Sequence, residues 1–300
     1  PAVNVLLGAF GGNVSNSTNE FMTIQTVSGV NYIRPLAASE YAFVTSGSVT
    51  SNVGKLESNV SFLANTAANG IRFANLTTHT IADNVTLKLG GNSDPAFSAS
   101  NTTGSGMAIF VSNGIRIQGG TIDTGSREFI LRNNGSGVIQ SRLTGSGGVN
   151  IAGGGYVDFY GRNTYTGRTY LTGDNLRAMA SGSLGAPGPG NGITVTANRT
   201  LRLGNSSTIG RDGGKDIEIG PNARLSSLDG HNLWIGNVTV NAATDAGQNL
   251  NSFLRTLTHS STLTIQGNVT GGGIPMEASY NGNSGRALWL IGDSFRDSII

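Results

Sequence analysis

The 300-residue chain has no cysteine, which excludes disulfide frameworks and thiolate metal sites. Charge is also scarce: Asp, Glu, Lys and Arg make up 12% of residues, about half the roughly 25% usual in globular proteins. With seven prolines and 7% aromatics, rigid and bulky side chains are few. No apolar run approaches the length of a membrane-spanning helix. Residues 1–10 are apolar but lack the basic start and cleavage pattern of a signal peptide. A start without methionine and an end at Ser298-Ile299-Ile300 read as a segment of a longer protein, or as a processed subunit completed by its neighbours. The formal charge is only +2, and all but Lys55, Lys88 and Lys215 of the 19 basic residues are arginine. They spread from Arg34 to Arg296 without clustering, so nucleic-acid binding has no electrostatic footprint in the sequence.

What is abundant is glycine, 46 residues of it, in a background of Asn, Ser and Thr. Such a composition can mean disorder, but 37% of residues are hydrophobic and fall in ordered short runs, which argues against it. Examples are Ile71-Arg-Phe73, Val85-Thr-Leu-Lys-Leu89, Ile115-Arg-Ile117, Ile193-Thr-Val195, Leu201-Arg-Leu203, Ile217-Glu-Ile219 and Val238-Thr-Val240. Apolar and polar residues alternate with period two, as in strands half buried against one core. Gly, Asn, Asp or Ser separates the runs. A β-sandwich uses longer strands at a spacing of about 8–12 residues, so the shortness favours a solenoid.

The densest signal lies between Leu143 and Thr169. Two strands, Val149-Asn150-Ile151 and Tyr156-Val157-Asp158-Phe159-Tyr160, are bracketed by Gly145, Gly147, Gly153, Gly155 and Gly161, then followed by Asn163-x-Tyr165-x-Gly167-x-Thr169. The segment resembles the autotransporter-associated β-strand repeat of secreted bacterial surface proteins. The likeness continues loosely through Leu176 and Ser183-Leu184-Gly185. It implies an all-β fold, a right-handed parallel β-helix with short rungs and loop excursions. It further implies an extracellular or cell-surface location, a structural or adhesive role, and no active site at the motif positions.

The organisation expected is an irregular N-terminal part over residues 1–60, forming first coils or a cap, and a solenoid over 61–300. The repeat motif falls at 143–185, with a degenerate copy near 269–296, where Gly285-Arg286 and Gly292-Asp293 parallel Gly167-Arg168 and Gly173-Asp174. That copy has Tyr280-Asn281-Gly282-Asn283 in place of the Asn-x-Tyr corner. Asn31 to Val44 reads as a loop with a short helix. Ala186-Pro-Gly-Pro-Gly190 reads as a loop leaving the coil. Over residues 248–258 the helical spacing of Leu250, Phe253, Leu254 and Leu257 competes with strand.

Residues that carry chemistry are hard to find. The 17 acidic residues are dispersed, whereas polysaccharide-cleaving β-helices need carboxylates grouped on one face. Asp123 has no acidic neighbour, and Asp229-Gly-His231-Asn232 places a lone histidine at a turn. Asp212 and Asp216 flank a Gly-Gly-Lys215 turn that reads as solvated. The glycines from Gly145 to Gly155 lack the Gly-Lys-Ser/Thr of a phosphate loop. Asn163 reads as a structural turn residue and Tyr165 as a corner plug, while Tyr156, Tyr160 and Tyr170 are open to a glycan-binding or packing role. No catalytic residue, metal site or cofactor is assigned.

The sequence therefore predicts a non-enzymatic extracellular β-helix segment that stacks end to end with other copies or with neighbouring segments of the same protein. Glycans or a cell surface are the external partners, with no nucleic acid and no transmembrane segment. The alternative is a β-helical polysaccharide-active enzyme or carbohydrate-binding module.

Overall fold

The computed structural model describes residues 5–11, 20–50, 53–74, 76–90, 106–110, 113–126, 128–188, 190–241, 253–256, 261–271 and 287–291. Its architecture is a parallel β-solenoid with almost no helix. The chain visits one face in ten successive parallel strands, from Val53–Leu56 through Phe129–Asn133, Val149–Ala152, Thr169–Leu171, Ile193–Val195 and Ile217–Ile219 to Val269–Gly271. A second face holds nine strands, from Val60–Phe62 through Tyr156–Phe159, Asn175–Ala178, Thr200–Leu203 and Arg224–Ser227 to Phe253–Thr256. The third face carries four strands from Thr66–Ala68 to Arg142–Thr144 and four more from Thr208–Ile209 to Ala287–Ile291.

Strict alternation explains the stack. On the first face Ile71, Ala108, Leu131, Ile151, Leu171, Val195, Ile219 and Val240 occupy one register column. All eight are buried. Each Val, Leu or Ile so placed contributes about 1.5–3 kcal/mol of apolar burial. The residues between them face outward, so every rung adds one side chain to a lateral column about 4.8 Å from the last. The coil length varies: Leu143 and Asn163 are bonded 20 residues apart, Thr239 and Thr270 31 apart.

The third face is bridged at its middle by irregular chain. Thr164 N donates to Leu143 O at 2.8 Å, Thr166 N to Gly145 O at 3.1 Å, and Ala186 N to Tyr165 O at 2.9 Å. The wall therefore stays hydrogen-bonded through the Asn-x-Tyr-x-Gly segment, although no strand is assigned there.

The N-terminal region differs from its sequence reading. The loop with a short helix is found only after Pro35; before it, Val30–Pro35 is an antiparallel strand paired with Glu20–Val27, which also pairs with Val5–Gly11. Ser28 and Gly29 both have positive φ, the two-residue turn that matches hairpin twist. Only Ala38–Glu40 is helical, a single 3-10 turn. Arg34 forks onto Glu40, Nη2 to Oε1 at 2.5 Å and Nη1 to Oε2 at 2.6 Å. That ion pair and the Ala37 amide hold the Glu40 carboxyl down to about 2. Phe21 and Leu36 form a small second core with Val53 and Ile109, with Tyr41 and Ile130 packed beside it. This cover explains apolar side chains on the outside of the first face.

Phe253–Thr256 is a strand in register with Arg224–Ser227. The neighbouring rung offers a complete backbone ladder, which decides against the helical spacing seen there. Residues 242–252 and the Tyr280–Asn283 region of the degenerate copy lie outside the described residues. The two strands flanking that copy, Val269–Gly271 and Ala287–Ile291, continue their sheets in parallel.

Candidate functional site

The repeat-motif residues form the three bends of one coil: Gly153 and Gly155 between the first and second faces, Gly161 and Asn163 between the second and third, and Gly145, Gly147 and Gly167 between the third and the first. Asn163 is buried, and its amide bridges rungs rather than closing its own turn as the sequence suggested. Its Oδ1 accepts from Leu143 N at 2.8 Å and its Nδ2 donates to Ser183 O at 2.5 Å. Each partner is 20 residues away, one rung below and one above. Tyr165 is fully buried, with its hydroxyl 2.7 Å from Thr169 Oγ1. Burial pushes its phenol well above the ordinary value, and the Thr169 bond offsets this only in part. Gly155 and Gly167 are required by close approach: a Cβ at either would lie within 2.2 Å of the backbone of the rung below, at Gly135 O or Gly148 N. Gly145 and Gly153 have left-handed φ of 129° and 98°. Gly147 and Gly161 lie in two different bends: Gly167 N donates to Gly147 O at 3.2 Å before the first face, and a Cβ on Gly161 would press on Ser141 O after the second. Every one of these contacts is internal to the coil. These bends supply rigidity to the coil.

Asn232 does similar work without belonging to the motif. Buried, it accepts from Ser207 N at 2.8 Å and donates to Ser227 Oγ at 2.7 Å. Only the Asp-Gly-His-Asn turn pointed to it in the sequence.

The first lateral face carries a groove of about 340 Å³ lined by Arg168, Asp216, Glu218, Asn237, Thr239 and Asn268 among others. It follows a polar column whose register partners are Asn150, Tyr170, Thr194, Glu218, Thr239 and Thr270. Arg168 Nη1 reaches Glu218 Oε1 at 3.1 Å and Thr194 Oγ1 at 2.6 Å. Asp216 Oδ1 accepts from Asn237 N, and Asn237 Oδ1 in turn accepts from Asn268 N, at 2.8 and 3.1 Å. Both carboxylates are therefore engaged, one in an ion pair and one in a backbone cap. Hydroxyl, amide and charged groups in one shallow trough suit hydrogen bonding to a hydroxylated ligand.

The second lateral face corrects the reading that arginines do not cluster. Arg177 and Arg202 are direct register partners on adjacent rungs. Arg224 stands on the next rung, in register with Thr200. Arg177 forks onto Asp158 through Nε and Nη2, the latter at 2.6 Å, and lies 4.0 Å over the Tyr156 ring. Arg199 pairs with Asp174. Arg202 has no carboxylate partner among the described residues, and its Nε is buried without an acceptor. Residues about one coil apart in sequence become neighbours in space. The available signal was an arginine recurring beside a core leucine, in Leu176-Arg177, Leu201-Arg202 and Arg224-Leu225.

Other sequence candidates are placed plainly. His231 is exposed, with Nδ1 3.0 Å from Thr262 Oγ1. Asp123 accepts from Gly125 N at 2.9 Å. Asp212 and Asp216 are exposed, but Lys215 between them is buried, contrary to the solvated turn expected. Its Nζ donates to Ala186 O at 3.1 Å, and burial lowers its pKa to about 8. Tyr156 and Tyr170 are partly exposed, each on a lateral face. Among the described residues no three His, Asp or Glu side chains group as a metal site would need. No described helix is long and apolar enough to cross a membrane. No protein-family model, curated protein or solved structure matches the chain.

Proposed function

We propose that the chain is a structural and adhesive segment of an extracellular surface protein, a rigid β-solenoid whose lateral faces make the external contacts. The observation that carries this reading is the distribution of polar groups. The interior is an apolar column held by buried amides, and on the first face the outward column from Asn150 through Tyr170, Thr194, Glu218 and Thr239 to Thr270 presents one polar side chain per rung. The Asn163–Tyr165 corner, fixed between rungs, supports membership of the autotransporter-associated repeat type, and with it a bacterial secreted origin. Val269–Gly271 and Ala287–Ile291 are the last described strands of their sheets. A further rung, from a longer polypeptide or from another copy, would pair with the edges that end these sheets among the described residues.

Sedimentation and negative-stain electron microscopy at rising protein concentration test the stacking. Rods that lengthen with concentration, or with added flanking sequence, support it; compact monomers under both conditions remove it.

A second reading, a carbohydrate-binding module or polysaccharide-active enzyme, is favoured by the groove that Asp216, just before the strand Ile217–Ile219, and Glu218, within it, both line. A reducing-sugar assay across neutral and acidic polysaccharides separates the two. Release of reducing ends that is lost in E218Q would establish the enzyme.

A further inference from the structure

We propose that the second lateral face binds an acidic polysaccharide, with the Arg202 guanidinium as its principal anion contact. The inference rests on the adhesive reading and names its ligand class.

The geometry is that of a ladder. Arg177 and Arg202 face each other across adjacent rungs, and Arg224 lies diagonally on the third. Their backbone anchors are about 4.8 Å apart per rung along the solenoid axis. Three like charges at this spacing repel one another unless anions lie among them. Asp158 neutralises Arg177 and Asp174 neutralises Arg199, each through a side chain on the preceding rung. Among the described residues Arg202 has no such neighbour: its register partner toward the other end is Ser226. Desolvation, followed by the charges of Arg177 and Arg224, depresses the Arg202 pKa. An incoming carboxylate or sulfate would relieve that repulsion and could take the planar fork in a bidentate contact.

An extended polymer fits better than a small anion, because the ladder continues along the axis and is flanked by neutral hydrogen-bonding groups. Asn222 Nδ2 donates to Asn198 Oδ1 at 2.6 Å at the corner beside it, where both side chains can also meet sugar hydroxyls. Nucleic acid fits worse. It requires aromatic platforms and a broader basic surface, whereas the Tyr156 ring is covered by Arg177 and the chain carries a formal charge of only +2.

The test is binding of the whole chain to polygalacturonate and to dextran sulfate, with neutral dextran and single-stranded DNA as comparisons, at low and high salt. The expected result is binding to one or both acidic polysaccharides, weakened by salt, with neutral dextran inert. Binding to polygalacturonate alone would assign carboxylate as the ligand group, and to dextran sulfate alone, sulfate. R202Q should weaken binding by about tenfold or more, R202K by less, and R211Q, at an exposed arginine outside the ladder, not at all. Circular dichroism and the unfolding midpoint establish that each variant is folded. Equal binding by folded R202Q, tighter binding to DNA, or no binding to either polyanion would overturn the proposal. Rod assembly is scored independently, so a chain that assembles but ignores polyanions retains the structural reading and loses this one.

Discussion

The ammonium of Lys215 lies 5.9 Å from the centre of the Tyr165 ring, inside the wall of the coil. It donates to the Ala186 carbonyl at 3.1 Å, and among the described residues no carboxylate pairs with this buried cation.

This arrangement makes stability rise with pH in a defined window. Burial holds the Lys215 pKa at about 8 against an ordinary 10.5. Between those values the unfolded chain binds the proton that the folded chain has released, so folding becomes more favourable as pH increases. From pH 8 to 9.5 the gain is on the order of 2 kcal/mol. K215M should be more stable than the parent at pH 7, and its urea midpoint should be flat over the same range. With only Lys55 and Lys88 as other lysines, the background is small. A midpoint rise that persists in K215M would contradict the assignment.

His79 produces the opposite limit. It is wholly buried, edge-on to Phe73 at 4.9 Å, with Nε2 2.9 Å from Thr77 Oγ1. Desolvation lowers its pKa to about 4. As pH falls from 6.5 toward 4 the unfolded chain takes up a proton that the folded chain refuses, and stability drops. The loss approaches on the order of 3 kcal/mol. H79L should remove that component, so the parent-minus-variant difference should shift by this amount between pH 7 and 4. Parallel acid titration curves would exclude the role.

At the motif corner, N163L tests whether the side chain bridges rungs or only fills space. Leucine is of similar size but removes the side-chain partners of Leu143 N and Ser183 O at a buried position. We expect a loss of about 3 kcal/mol in chemical unfolding. A loss within about 0.5 kcal/mol would mean that the amide bonds contribute little.

Two adjacent glycines should respond differently. A Cβ at Gly154 meets only Asp174 Oδ2 at 3.7 Å, whereas one at Gly155 would lie 1.9 Å from Gly135 O. Neither has left-handed φ. G154A should stay within about 0.5 kcal/mol of the parent, and G155A should lose about 3 kcal/mol or more. Similar thermal midpoints for the two would contradict the tight spacing of the rungs.

The solenoid was legible because its signal is local. Val149, Ile151, Val157 and Phe159 alternate with polar residues, and glycines mark each bend. Lateral neighbours were not legible, since they depend on the length of every intervening coil. Arg177 and Arg202 meet only if the chain between them closes one full turn, and turns range from 17 residues (Val53 to Gly70) to 38 (Thr78 to Arg116). Lys215 was misread because Arg-Asp-Gly-Gly-Lys-Asp has the composition of an exposed turn, and the sequence does not show that the turn folds inward over Tyr165. The N-terminal hairpin was missed for a related reason: Tyr32 and Ile33 are exposed, so no burial pattern marked them as a strand.

The absence of native cysteine permits the most direct test. Paired spin labels at Asn150 and Thr239, then at Asn150 and Thr270, sample one outward column four and five rungs apart. Pulsed dipolar spectroscopy should give backbone separations near 19 Å and 24 Å, each further rung adding about 4.8 Å. Distances that fail to lengthen from the first pair to the second, or that scatter broadly, would contradict a coil that brings one residue per turn to the same face.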